Sequence, residues 1–169
     1  MAKPTEDDFL IHPDHLSAKP QVWEGTFRPG DLERLEESVA GPEGELRYRI
    51  TAALDPQRRQ VVSCIIEGFV FLTCQTSLTD FRHEISIADR LVLVDSEDHL
   101  PSIDEESEAE DYLVADEPLD IRDLVEDAVL LALPMVPRKP GLEEAPPAGG
   151  ESGRGTSPFA ALAGLKRKQ

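Results

Sequence analysis

The 169-residue chain predicts an α+β fold: an antiparallel β-meander sheet packed by two helices, with a flexible C-terminal tail. Three observations carry this. Long strand-like stretches follow one another through the first half, separated by short turn signals. An apolar stripe at helical spacing comes after them, over residues 120–133. Beyond it the composition shifts to Pro, Gly, Ala and Ser, which do not build a core.

Gln21–Phe27 reads as a short strand. Pro29–Val39 reads as the first helix, with Pro29 in the first turn, Leu32, Leu35 and Val39 on one face, and Gly41, Pro42 and Gly44 as its stop. Leu46–Leu54 alternates, with Leu46, Tyr48, Ile50 and Ala52 on one side and Arg47, Arg49 and Thr51 opposite, as a half-buried strand must. Asp55–Pro56 makes a turn. Gln60–Cys74 is a long strand in which Gly68 predicts a bend or bulge. After a turn around Thr76–Asp80, the residues Phe81, His83, Ile85 and Ile87 alternate again and Leu91–Val94 extends the run. Consecutive strands joined by short turns form an antiparallel meander. The clearest helix is Asp120–Leu133, with Asp120 as N-cap and Asp123 suited to the first turn. Its buried stripe is Ile121, Leu124, Val125, Ala128 and Ala132, widened by Leu130, Leu131 and Leu133, and Pro134, Pro137 and Pro140 end it.

Three regions follow: an extended N-terminal segment over 1–20, an α+β domain over 21–137 that includes an acidic loop at 95–118, and a flexible linker with a short amphipathic basic motif over 138–169. The formal charge is −17, from 17 Lys and Arg against 34 Asp and Glu. Fifteen of the acids lie between Asp95 and Asp127, opposed only by Arg122, so this stretch carries −14. Such a run is a solvated loop or a surface for a basic partner: a ribosomal protein, a basic peptide or metal cations. Broad nonspecific nucleic-acid binding needs phosphates neutralised by Lys and Arg, and this balance excludes it.

No stretch approaches 18 apolar residues, so no membrane helix is expected. The start, MAKPTEDDFL, has no apolar run after its lysine, so no secretory signal is expected and the protein is placed in the cytoplasm. Cys64 and Cys74 read as two buried small hydrophobes, and His83, with the parity of Phe81 and Ile85, as a core histidine. His12 and His15 have ligand-like spacing but lie among prolines without partners, and a zinc site needs about four ligands at short spacings. There is no Gly-x-Ser-x-Gly elbow, no nucleophile motif and no glycine-rich phosphate loop before a helix. Acids crowded into so polar a stretch do not build a rigid Mg²⁺ nuclease site. No catalytic residue, cofactor, metal or small-molecule substrate is expected.

Ser157-Pro-Phe-Ala-Ala-Leu-Ala-Gly-Leu-Lys-Arg-Lys168 has an apolar face and a basic end on a Pro/Gly-rich tether. Too short to be stable as an isolated helix, it suits docking on a partner or folding back on its own domain. Its expected partner-binding residues are Pro158, Phe159, Leu162, Leu165, Lys166, Arg167 and Lys168. A competing class is direct RNA binding through Arg47, Arg49, Arg58, Arg59 and the terminal basic residues, against their reading as ordinary solvent-facing groups.

The chain resembles the YceD family of bacterial proteins in three stretches: Phe27-Arg-Pro-Gly-Asp-Leu-Glu-Arg-Leu35, the helix from Leu119 ending in Leu133-Pro-Met-Val-Pro137, and Ser157-Pro-Phe-Ala-Ala-Leu-Ala-Gly-Leu-Lys166. Family members commonly carry Cys-x-Arg-Cys in the central strand region, with a His and a Cys after the proline-ended helix. Here Cys74 keeps the first position, Thr76 and Ser77 replace the next two, and Lys139 and Glu144 stand roughly where the His and Cys would. The resemblance implies a non-enzymatic ribosome biogenesis factor supporting synthesis, processing or accumulation of 23S rRNA. A large-subunit ribosomal protein or the pre-rRNA is its implied partner. The alternatives are a direct RNA-binding module, or an acidic adaptor for a basic protein unrelated to rRNA.

Overall fold

Alternation along the strands gathers one apolar row from each onto a common face, and that face is the core. The computed structural model describes residues 9–102 and 110–141. Its strands are β1 (Leu10–Ile11), β2 (Gln21–Phe27), β3 (Gly44–Leu54), β4 (Gln60–Thr73), β5 (Asp80–Val94), β6 (Asp111–Val114) and β7 (Leu119–Asp120). The helices are α1 (Glu33–Glu36) and α2 (Ile121–Ala132). The main sheet has the order β2-β3-β4-β5-β6, and β1 pairs separately with β7. Leu46, Ile50, Val62, Ile66, Val70 and Leu72 point from β3 and β4 into a fully or almost fully buried layer. α2 lies against β4 and β5 and covers it.

The first four strands are the expected antiparallel meander, but the sheet as a whole is mixed. β6 runs parallel to β5, from Leu91↔Asp111 to Val94↔Val114. A parallel neighbour needs a connection of about a dozen residues or more to bring the chain back, and the acidic stretch between the two strands supplies that length. So the segment expected as a loop at 95–118 holds a short 3-10 turn at Glu97–His99 and a strand where Tyr112, Leu113 and Val114 interrupt the acids.

Of the bend or bulge expected at Gly68, the bulge is absent. Pairing runs through it unbroken, Leu46↔Gly68 on one side and Gly68↔Ile85 on the other, so no extra residue is inserted. Close approach is what requires the glycine: a Cβ there would lie 1.8 Å from the Glu45 carbonyl oxygen, at φ +157°. Because no residue is added, Cys64 and Cys74 keep the same parity and both are buried. Burial, and secondarily the Asp89 carboxylate, pushes the Cys64 thiol up to about 11. His83 is half-buried with its ring edge-on to Phe81.

The helix expected over Pro29–Val39 is shorter. Pro29–Asp31 form a 3-10 turn, with the Asp31 carboxylate accepting from the Arg28 amide, and only Glu33–Glu36 are α-helical. Leu32 and Leu35 are buried as expected, and Val39 packs on the core edge. A single turn cannot sustain itself and needs a partner for its free amides. That partner is Glu126 of α2, whose Oε1 accepts from the Arg34 and Leu35 amides at 2.7 and 3.0 Å while its Oε2 accepts from the Arg34 Nε at 2.8 Å.

α2 starts as expected, with the Asp120 side chain accepting from the Arg122 amide at 2.7 Å. Ile121, Val125 and Val129 are fully buried, with Leu124 and Ala128 partly so. Two assignments change: Ala132, in the last turn before the chain leaves at Pro134, is exposed, and Leu131 faces solvent on the same side as Asp127, one turn on. Ahead of the sheet, Ile11 and Leu16 fill the core, with Ile11 entirely enclosed.

Gly68→Ala should destabilise by about 2–3 kcal/mol in urea unfolding, because backbone and not a movable side chain blocks the methyl group. The Glu126 carboxyl yields a second expectation. Burial works to raise it, and the Leu35 amide with the Arg34 guanidinium and amide overcomes that, holding it below the usual carboxylate range. Its contribution is therefore fully present above the unfolded value near 4.3 and is lost as pH falls through the lower folded value. Glu126→Gln should cost about 1–2 kcal/mol at pH 7, yet lose less stability than the parent on acidification to about pH 3. Parallel pH profiles for the two proteins would contradict this.

Candidate partner-binding surfaces

The face of the sheet opposite α2 is open to solvent. Register places Glu24, Arg49 and Ile65 side by side across it, with Thr26, Arg47 and Glu67 in the next row and Glu45, Phe69 and Glu84 in the one after. Val22 and Ile65 are about half exposed. The face has the ingredients of an RNA platform, arginines beside phenylalanines on a bare sheet. Its wiring is different. Arg49 pairs with Glu24 at 2.6 Å, Arg47 with Glu45 at 3.3 Å and Arg82 with Glu84 at 2.6 Å. The Arg82 guanidinium lies 3.6 Å from the Phe69 ring centroid and covers the surface on which a base would stack.

Arg59 is committed elsewhere. With Asp55, Arg90 and Glu110 it forms a network that joins the β3–β4 turn to the start of β6. Arg59 Nε meets Asp55 at 2.7 Å, its two terminal nitrogens grip Glu110 at 3.0 and 3.1 Å, and Arg90 Nε reaches Glu110 at 2.8 Å. Hydrogen bonds from Arg59 and then Arg90 hold the Glu110 carboxyl below the usual range. At Asp55 burial pulls upward, and the Arg59 amide and guanidinium outweigh it. Asp55 Oδ1 also accepts from the Gln57 and Arg59 amides, which fixes a turn with Arg58 at φ +65°. Arg58 alone of the four proposed RNA contacts is left solvent-facing at a hairpin tip without an ion pair among the described residues. Sequence reading missed Glu110 as an anchor, since its partners lie 51 and 20 residues away and no local pattern marks them.

His12 and His15 lie 5.2 Å apart between ring centroids, flanking Asp14 near Asp95, Asp116 and Glu117. Among the described residues no three His, Cys, Asp or Glu side chains converge as metal ligands. His99 is raised by its hydrogen bond to Asp95. No helix among the described residues is long and apolar enough to cross a membrane. The terminal residues Pro158, Phe159, Leu162, Leu165, Lys166, Arg167 and Lys168 lie outside the described residues.

The family described as large ribosomal RNA subunit accumulation protein YceD matches residues 62–166. The chain belongs to the YceD family. A Haemophilus influenzae protein named large ribosomal RNA subunit accumulation protein YceD is 29% identical over 156 residues, covering 85% of this chain and 87% of that protein. No solved structure matches the chain. The YceD match begins within β4 and takes in the acidic segment, α2 and the Ser157–Lys166 stretch, but not the strand that carries Arg47 and Arg49. The Gln75 amide donates to the Pro137 carbonyl at 2.9 Å, which joins the β4–β5 turn to the exit from α2.

With the arginines of the bare face paired, a filter-binding titration of the chain against 23S rRNA should give weak affinity that changes by less than about threefold between 50 and 200 mM salt. A steep fall over that range would restore the RNA reading of this face.

Proposed function

We propose that the chain is a non-enzymatic ribosome biogenesis factor of the cytoplasm that supports synthesis, processing or accumulation of 23S rRNA. The observation that carries this reading is the YceD match over residues 62–166. In this reading the acidic segment holds a basic large-subunit ribosomal protein, since the carboxylates it keeps beyond Glu110, Glu126 and Asp127, which arginines of the domain already pair, attract such a partner and repel bare phosphate. The terminal motif, Pro158, Phe159, Leu162, Leu165 and Lys166–Lys168, docks on the same partner or on pre-rRNA, with the Pro- and Gly-rich stretch of 143–156 as its tether.

Direct RNA recognition by the domain is the weaker reading, because Arg47, Arg49 and Arg59 are already neutralised by acids of the chain. Deletion of the gene should lower the ratio of 23S to 16S rRNA and reduce free large subunits in a sucrose gradient, and the intact chain should restore both. An unchanged ratio would leave an acidic adaptor for a basic protein unrelated to rRNA.

A further inference from the structure

Four large apolar side chains stand in water at one end of the domain. Leu131 is 87% exposed, Leu78 is 76%, Val136 is 55% and Met135 is fully exposed. They come from two segments far apart in sequence, the β4–β5 turn and the exit from α2, which the Gln75 amide joins by its bond to the Pro137 carbonyl. Leu78 sits at φ +54°, a conformation that glycine or asparagine adopts with less strain, so a leucine there is unfavourable for the backbone as well as for its side chain. Nothing in the folding of the domain is gained from these exposures.

The same side of α2 is acidic one and two turns earlier. Asp123, Asp127 and Leu131 follow at four-residue intervals and are all exposed, spanning about 12 Å along the helix. Asp127 already meets Arg34 at 2.7 Å. Asp123 has no hydrogen-bond or ion-pair partner among the described residues. Burial, and then the neighbouring Asp120 carboxylate, raise its carboxyl above the usual range; the Arg34 guanidinium opposes this and the Asp127 and Glu126 carboxylates add to it. A cation brought to this point would relieve that repulsion.

We propose that this strip is the docking surface for a basic amphipathic segment of a partner protein. The partner's apolar side chains lie on Leu131, Met135, Val136 and Leu78, and its Lys or Arg groups meet Asp123 and Asp127. Charge excludes two occupants, a second copy and RNA, and a crosslink from position 131 only to the chain's own basic segment over 157–168 would overturn the partner. A second copy would bring one chain of charge −17 against another and set carboxylates against carboxylates. RNA would bring phosphates to the same aspartates and find no aromatic ring among these residues on which to stack. A basic segment with apolar groups at helical spacing satisfies both halves of the strip. The inference rests on the reading that the chain acts through a basic protein.

The test uses the full chain with the photo-crosslinking residue p-benzoylphenylalanine in place of Leu131, and, as control, in place of Val22 on the open sheet face. The probes are the proteins salt-extracted from large ribosomal subunits, and separately 23S rRNA. Position 131 should crosslink to a basic protein at least about fivefold more than position 22. Met135→Ser with Val136→Ser, and independently Asp123→Asn, should cut that yield by about fivefold or more while thermal unfolding stays unchanged, since all three side chains are exposed and asparagine adds no cation to the first turn of α2. The surface is refuted by equal crosslinking from the two positions, by yields the variants leave intact, by crosslinks only to 23S rRNA or to a second copy, or by none. The function reading is tested apart from it. Rescue of the rRNA ratio by the intact chain and equally by the double serine variant would refute the surface and keep the reading. An unchanged ratio on deletion, with the crosslinks present, would refute the reading and keep the surface.

Discussion

A single twelve-residue helix has to cover the apolar face of a five-stranded sheet, and the rest of the structure answers that shortage. α2 reaches β4 and β5 but leaves the β2–β3 side open. The chain fills it with small pieces: Ile11 and Leu16 ahead of the sheet, and Leu32 and Leu35 from the turn between β2 and β3. Such pieces have little stability of their own. The β1–β7 pairing, two residues on each side, and the Glu126 carboxylate under the α1 amides tie both of them to α2. The helix is thus the hub to which the N-terminal segment, α1 and the sheet are each attached.

The charge of the chain is arranged so as not to oppose this assembly. Fifteen of the 34 acids fall between Asp95 and Asp127, and where that stretch returns to the sheet two arginines meet it, Arg59 and Arg90 on Glu110. The arginines that the sheet displays on its bare face are held by Glu24, Glu45 and Glu84. Of these arginines, cation count alone had made Arg47 and Arg49 RNA candidates. Their partners, on a neighbouring strand for Arg49 and two residues along the same strand for Arg47 and Arg82, reduce them to local neutralisation, which in exposed pairs adds little to stability.

What was legible in the sequence was whatever has a period. Gln21–Phe27 matches its strand at both ends, and β3, β4 and β5 match to within a few residues, because a half-buried strand must alternate. The Asp120 cap was legible for a similar reason, a local geometry with a chemical signature. The parallel β6 was not, since four residues inside an acidic run have no period to show and their partner strand lies about twenty residues away. Neither was the truncation of the first helix: Leu32, Leu35 and Val39 have the right spacing, but the Pro-Gly-Asp entry takes a 3-10 turn and the helical part ends at Glu36. Gly68 shows the limit differently. Its presence was informative, but the reason was the Glu45 carbonyl oxygen, which a Cβ would meet at 1.8 Å and which only the folded sheet brings there.

The two hairpin tips separate fold from function most sharply. Both carry a non-glycine residue in the left-handed region, Arg58 at φ +65° and Leu78 at φ +54°. At the first, Asp55 explains the arrangement: its carboxylate binds the amides on either side of Arg58 and the guanidinium of Arg59, so the turn is held by chemistry internal to the domain. At the second, backbone bonds from Leu78 to Cys74 and from Cys74 to Thr79 shape the turn, but the leucine side chain is left 76% exposed. Strain with an internal compensation belongs to folding. Strain without one, on an exposed apolar residue in a turn bonded to the exposed exit of α2, belongs to whatever the surface meets.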